Sequence, residues 1–326
     1  MPIINDTGYK RPFYLFNQHL ETILPSMFRK VRGIAYQRER IDLEDGDFLD
    51  LDWLKNNHER LVIVSHGLEG SSDRHYVKGM AKLFHQNQWD ILAWNCRTCS
   101  GVINRTARFY HHGATDDLKT VIDYAVSLKK YRMIVLIGIS MGGSLTLKYL
   151  GENQTIPKVL LCATVFSVPC NLKSSVMALE KRGNLFYKRR FLKKLKKKIK
   201  AKAEIMPDVI GTDGFQGIKR FNDFDNKYTA PLHGFRDAED FYEKASAEKY
   251  MREINLPTLI VNAKNDPFLP MECYPIKIAD NHDSVFLEMP LHGGHVGFSL
   301  RGEEFNWAEK RSLAFVNDVI RQNTIS

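Results

Sequence analysis

No run of about eighteen apolar residues occurs in the 326-residue chain, so no transmembrane helix is expected. Residues 1–30 lack the uninterrupted apolar core of a secretory leader, which makes the cytoplasm the expected compartment. Cysteine is sparse. The five present (Cys96, Cys99, Cys162, Cys170, Cys273) are odd in number and scattered, and imply no disulfide framework. Cys96 and Cys99 make a C-x-x-C, but no second pair exists to complete a structural zinc site, and two free thiols after a strand are expected. No metal and no cofactor are called for. Acid is missing from one segment: residues 181–202, "KRGNLFYKRRFLKKLKKKIKAK", hold twelve Lys or Arg and no Asp or Glu. Set against the net charge of +9, that leaves −3 for the rest, a mildly acidic body with one intensely basic stretch.

What is present points to a packed α/β protein. Apolar residues make up 44% and aromatics 11%, a composition that suits a globular core. The pattern predicts a hairpin over 35–43 and 48–54 around Asp45-Gly46. Short Val/Ile/Leu-rich runs follow at 60–67, 89–96, 132–140, 158–167, 257–266 and 284–295, as expected of strands covered on both faces. Helical spacing fills the gaps at 76–87, 115–130, 142–151 and 306–322. Such alternation predicts a mostly parallel sheet with helices on both faces, in one domain spanning 1–326. Residues 168–250 contain no buried-strand pattern and read as a helical cap inserted between two core strands, over one edge of the sheet.

One short motif carries chemistry. Gly138-Ile139-Ser140-Met141-Gly142 has a strand before it and a helix after it, the context that places a serine hydroxyl on a sharp turn above a sheet. A neutral hydroxyl is a poor nucleophile and needs a base and an acid elsewhere. With the order serine, acid, histidine, the candidates are Asp266, just past the 257–266 run, and His295, approached through Gly293-Gly294, with His292 as the alternative base. The loop "SHGLEGSS" after an early strand offers the Leu68 N–H as one oxyanion donor, and the Met141 N–H is the second. Taken singly, Ser140 reads as well as a buried turn serine, Asp266 as a helix cap and His295 as a satisfied loop histidine. All of them falling at strand carboxyl ends, in that order, favours the nucleophile.

Six stretches together give a further indication: "NQHLETILPSMFR" (17–29), "HGLEGSSDRHY" (66–76), "GISMGGSLTLKYLGE" (138–152), "YTAPLHGF" (228–235), "NAKNDPF" (262–268) and "GGHVGF" (293–298). With these the chain resembles the YheT-type branch of the α/β-hydrolases over nearly its whole length. The resemblance implies an α/β-hydrolase fold and carries over Ser140, Asp266 and His295 as a catalytic triad. The chain departs from the family's pattern at Thr98, where a glycine is expected after the arginine, and at Asn265, where the family often has a second aspartate.

The expected activity is therefore hydrolysis of short- to medium-chain acyl or lipid esters through an acyl-enzyme. Transfer of the acyl group to an alcohol is the alternative within the same chemistry. Outside enzymology, the alternative is a non-catalytic lipid or membrane-surface binding protein that uses the basic helix. Leu185, Phe191, Leu192, Leu195 and Ile199 fall near helical spacing with Lys and Arg opposite. That pattern reads first as a cap helix packed on the core with a solvated charged face. Its second reading is peripheral contact with an anionic inner membrane face through 185–202. Nucleic acid is disfavoured, since no recognised nucleic-acid fold or aromatic interleaving accompanies the charge.

Overall fold

The computed structural model describes residues 3–5, 7–152 and 155–325. Its strands are β1 (Ile3–Ile4), β2 (Gln37–Asp42), β3 (Phe48–Leu54), β4 (Arg60–Ser65), β5 (Asp90–Asn95), β6 (Met133–Ile139), β7 (Leu160–Phe166), β8 (Thr258–Val261) and β9 (Val285–Glu288). They join in one sheet with the order β1-β9-β8-β7-β6-β4-β5-β3-β2. Only β3 runs against its neighbours β2 and β5; every other pair is parallel. The β2–β3 hairpin closes where Asp45-Gly46 was expected to turn.

Both faces of the sheet are covered. Helices α2 (His75–Gln86) and α8 (Trp307–Ile325) pack on one side around Val77, Phe84, Trp307 and Val316. On the other, α3 (Thr115–Ser127) and α4 (Met141–Glu152) bury Leu118, Val121, Leu145 and Leu147. Burial on both faces is why the central strands read as unbroken apolar runs. The runs at 257–266 and 284–295 overshoot their strands, because the loops that continue them still bury Ala263, Asp266 and Pro290.

Two elements had no counterpart in the sequence pattern. Strand β1 adds a two-residue parallel edge to β9. Helix α1 (Gln18–Phe28) starts at Asn17, whose side chain accepts from the His19 and Leu20 amides.

Between β7 and β8 the described chain forms no strand. It builds α5 (Leu172–Glu180), α6 (Leu185–Ile205), a one-turn π-helix at Asp225–Thr229 and α7 (Ala238–Ala245). Helix α6 is the basic segment, and it turns Tyr187, Leu192 and Ile199 inward. Its charged residues are not all solvated. Lys196 donates to the Phe215 and Ile218 carbonyls at 2.9 and 2.8 Å, and fully buried Lys202 donates to the Thr106 and Arg108 carbonyls. Burial lowers the Lys202 ammonium to about 8, so it behaves as a tether for the 106–109 loop more than as a surface charge.

Candidate active site

Ser140 is placed by the junction of β6 and α4. Its backbone sits at φ +55°, a left-handed conformation that a non-glycine residue holds only when its surroundings impose it. The cause is close packing two residues on: a Cβ on Gly142 would come within 2.2 Å of the Ser65 carbonyl oxygen. The turn can therefore press the helix against the end of β4 only with glycine at 142. The result is a half-buried hydroxyl raised over the carboxyl ends of the strands.

Asp266 and His295 arrive from the loops after β8 and β9. His295 Nε2 lies 3.0 Å from Ser140 Oγ, and its Nδ1 lies 2.8 Å from Asp266 Oδ2. Asp266 is buried, and its other oxygen accepts the Phe268 N–H at 2.9 Å. A proton on Nδ1 satisfies the carboxylate and leaves Nε2 free to accept from the hydroxyl. The alternative histidine goes elsewhere: His292 faces Glu21, with its Nδ1 3.8 Å from Oε1. Gly294 (φ +55°) makes the approach to His295 possible, since a Cβ there would meet Thr22 Oγ1 at 2.7 Å.

The histidine loop is held by residues that sequence reasoning passed over. Glu21 of α1, only 1% exposed, accepts the Gly293 N–H, and the Asn265 amide nitrogen lies 3.1 Å from each of its oxygens as donor. Thr22 Oγ1 accepts the His295 N–H at 2.9 Å, and Ser167 Oγ accepts the Val296 N–H at 2.9 Å. Asn265 also accepts the Gly294 N–H at 3.0 Å. An aspartate at 265 could not donate to Glu21, so the departure at that position matches its neighbour. The signal was in the 17–29 stretch, but as a motif with no assigned job.

Across from this loop, Gly67 comes so near that a Cβ there would be 3.2 Å from that of Ser140. Among the described residues, neither the Leu68 N–H nor the Met141 N–H has an acceptor. Two unspent amides flank the serine. His66 fixes their loop from beneath: its Nε2 accepts the Cys96 N–H at 3.1 Å, so Nδ1 carries the proton and donates to the Gly67 carbonyl at 2.8 Å. Complete burial lowers His66 to about 4. An unfolded histidine titrates near 6.5, so the folded state takes up a proton here only at the cost of that burial. Stability is complete above about pH 6.5 and is lost as pH falls toward 4, by roughly 3 kcal/mol for this group alone. Urea midpoints taken from pH 7 to 4.5 should fall steeply; a flat profile would show that His66 is not held neutral. Thr98, in the same neighbourhood, has φ +63°, which explains why glycine suits that position.

A cavity of about 180 Å³ lies against Ser140 and His295, walled largely by apolar side chains such as Ile23, Leu172, Val176, Leu179 and Phe191. Its roof comes from α5 and α6, tied to the acid loop where Ser175 Oγ donates to the Phe268 carbonyl (3.0 Å) and Asn184 donates to that of Pro267 (2.7 Å). Phe268 touches both sides, its ring 4.8 Å from Tyr187 and 4.3 Å from His295. Among the described residues no cluster of three metal-ligating side chains occurs, and all five cysteines are buried free thiols.

Residues 56–274 match the Hydrolase_4 family, described as serine aminopeptidase, S33. The chain is also 33% identical to YheT of Escherichia coli (strain K12), across 86% of this chain and 84% of that one. The chain belongs to the YheT-type branch of the α/β-hydrolases. Phospholipase ABHD3 of Mus musculus is 28% identical over 91% of this YheT-type chain and 74% of its own. Among solved structures, the esterase Pf2001 of Pyrococcus furiosus superposes with a TM-score of 0.59 at 18% identity, covering 89% of this chain and 96% of that one, a likeness of fold. The YheT-type fold is thus the scaffold on which Ser140, His295 and Asp266 meet.

Proposed function

We propose that this α/β-hydrolase cleaves carboxylic esters, with short- to medium-chain acyl or lipid esters as substrates, through an acyl-enzyme on Ser140. The observation that carries the reading is the hydrogen-bonded chain Asp266–His295–Ser140 opening onto an apolar cavity. That YheT carries esterase in its name and ABHD3 phospholipase supports the ester as the bond cleaved. Ser140 Oγ attacks the acyl carbon while His295 Nε2 takes its proton, and the imidazolium is stabilised by buried Asp266. The tetrahedral oxyanion is received by the Leu68 and Met141 amides, a pair worth several kcal/mol in the transition state. His295 then returns the proton to the leaving alkoxide. Water enters, loses a proton to the same nitrogen and releases the acid. The insert at about 168–250 acts as the cap that covers the acyl chain. The exposed Phe186 beside Arg189 and Arg190 makes α6 the face that would meet an anionic membrane peripherally.

A fluorophosphonate probe tests the reading directly. It should label the protein at one residue, mapped to Ser140 by peptide mass spectrometry, and an ester series of graded chain length should show a short- to medium-chain optimum. Labelling at another residue, or none on the folded protein, overturns it.

A further inference from the structure

The apolar cavity has one charged wall. Arg74, Arg190 and Lys194 line it together with Ser140 and His295. Arg74 Nη2 and Lys194 Nζ each donate to the same acceptor, the Glu69 carbonyl oxygen, at 3.3 Å, so the two cationic heads stand side by side. Arg190 lies one helical turn before Lys194 on α6 and shares its face. Glu69 directly follows Leu68, so this charge lies beside the amide that faces the reacting carbonyl.

Among the described residues no carboxylate is within ion-pair distance of Arg74, Arg190 or Lys194. Two acids beside Arg74 in the chain have other partners: Glu69 Oε1 takes Lys198 at 2.9 Å and the Tyr110 hydroxyl at 2.5 Å, and Asp73 takes Lys78 at 2.7 Å. Burial, and then the field of Arg74, push the Lys194 ammonium below its ordinary range, and the Glu69 carboxylate offsets this only in part. Arg74 and Lys194, both half-buried, are costly to hold side by side at the wall of an apolar cavity unless an anion arrives with the ligand, and exposed Arg190 adds its charge to theirs.

We infer that Arg74, Arg190 and Lys194 form an anion subsite for a phosphate or carboxylate on the alcohol side of the scissile ester. The position decides the side. An anion at the far end of an acyl chain would lie away from the Leu68 loop, whereas one on a short alcohol lies next to it. The substrate class is thereby narrowed to anionic amphiphiles, with an apolar acyl chain under the cap and a charged leaving group at Arg74 and Lys194. This inference rests on the esterase reading above.

The test compares esters sharing one acyl chain, below their aggregation concentrations: 1-octanoylglycerol 3-phosphate against 1-octanoylglycerol, and 4-nitro-3-octanoyloxybenzoate against 4-nitrophenyl octanoate. The kcat/KM ratio, anionic over neutral, should be about tenfold at low salt and shrink as salt screens partly exposed charges. Arg190→Gln/Lys194→Gln should bring it near one. Lys193→Gln/Lys197→Gln, which removes equal charge away from the cavity, should leave the ratio in place. A preference for the phosphate arm alone, or for both, identifies the anion. A wild-type ratio near one, or a ratio the first double variant does not move, overturns the subsite while leaving the esterase reading intact. If no ester is turned over, that reading fails, and calorimetry with octyl phosphate and inorganic phosphate decides the subsite. Octyl phosphate binding weakened about tenfold by Arg190→Gln/Lys194→Gln sustains it, and equal binding overturns it.

Discussion

Ser140→Ala should lower kcat for 4-nitrophenyl esters by about 10⁴- to 10⁶-fold, with KM and melting temperature close to wild type. The size follows from what is lost. Without Oγ there is no atom for His295 Nε2 to deprotonate and no acyl-enzyme to split the reaction. The amides of Leu68 and Met141 remain, so a residual rate above the buffer background is expected. Stability barely changes because alanine inherits the same φ of +55° that the elbow imposes on serine. Asp266→Asn should approach the same loss by another route. An amide at 266 can present an N–H to Nδ1, which favours the tautomer whose proton sits on Nε2 and points at the serine. Equal rates in wild type and Ser140→Ala would remove the serine from the chemistry.

Gly142→Ala should cost several kcal/mol, a large share of the roughly 5–15 kcal/mol by which domains are stable, and leave little soluble protein. The added methyl would stand 2.2 Å from the Ser65 oxygen and 2.8 Å from that of His66. Both are backbone atoms, one of them in β4 and locked into ladders with β5 and β6, so neither can yield as a side-chain tip could. The helix must move instead, and the elbow opens with it. Gly217→Ala is the companion measurement: nothing lies within 4 Å of that Cβ, and its melting temperature should stay within about 2 °C of wild type. A Gly142→Ala protein with wild-type melting temperature and turnover would show that the elbow does not need glycine there.

The inner strands β4 to β9 were legible because burial on both faces leaves a simple trace, an unbroken apolar run, whereas two-residue β1 leaves none. That Ser140, Asp266 and His295 would meet was legible because ligand sites in such sheets gather at strand carboxyl ends, and the three do lie within hydrogen-bond distance of one another. Helix α1 was not, and the reason is physical. It points Glu21 and Thr22 inward and leaves Met27 and Phe28 56% and 68% exposed, so its inner face is not a simple apolar stripe. Polar groups face inward there because they have specific partners, the amides of Gly293 and His295, and no periodicity encodes a partner 270 residues away. The basic segment was legible as an amphipathic helix. What spacing could not convey is that Lys196, Lys198 and Lys202 bind inward, since each depends on a carbonyl or carboxylate supplied by a distant loop.

The bonds from Glu21 and Thr22 to the histidine loop set an order of assembly during synthesis. Translation at roughly 5–20 residues per second puts about 270 residues, and so tens of seconds, between the emergence of α1 and of the amides it must hold. Helix α1 is too short to persist alone in water, and its exposed Met27 and Phe28 are available to chaperones throughout that interval. The bidentate pair from Arg29 to buried Glu309 delays closure further, until α8 has been made. On the proposed mechanism ester cleavage must wait for the carboxyl-terminal part of the chain, since the serine elbow is made 155 residues before the His295 imidazole that would arm it.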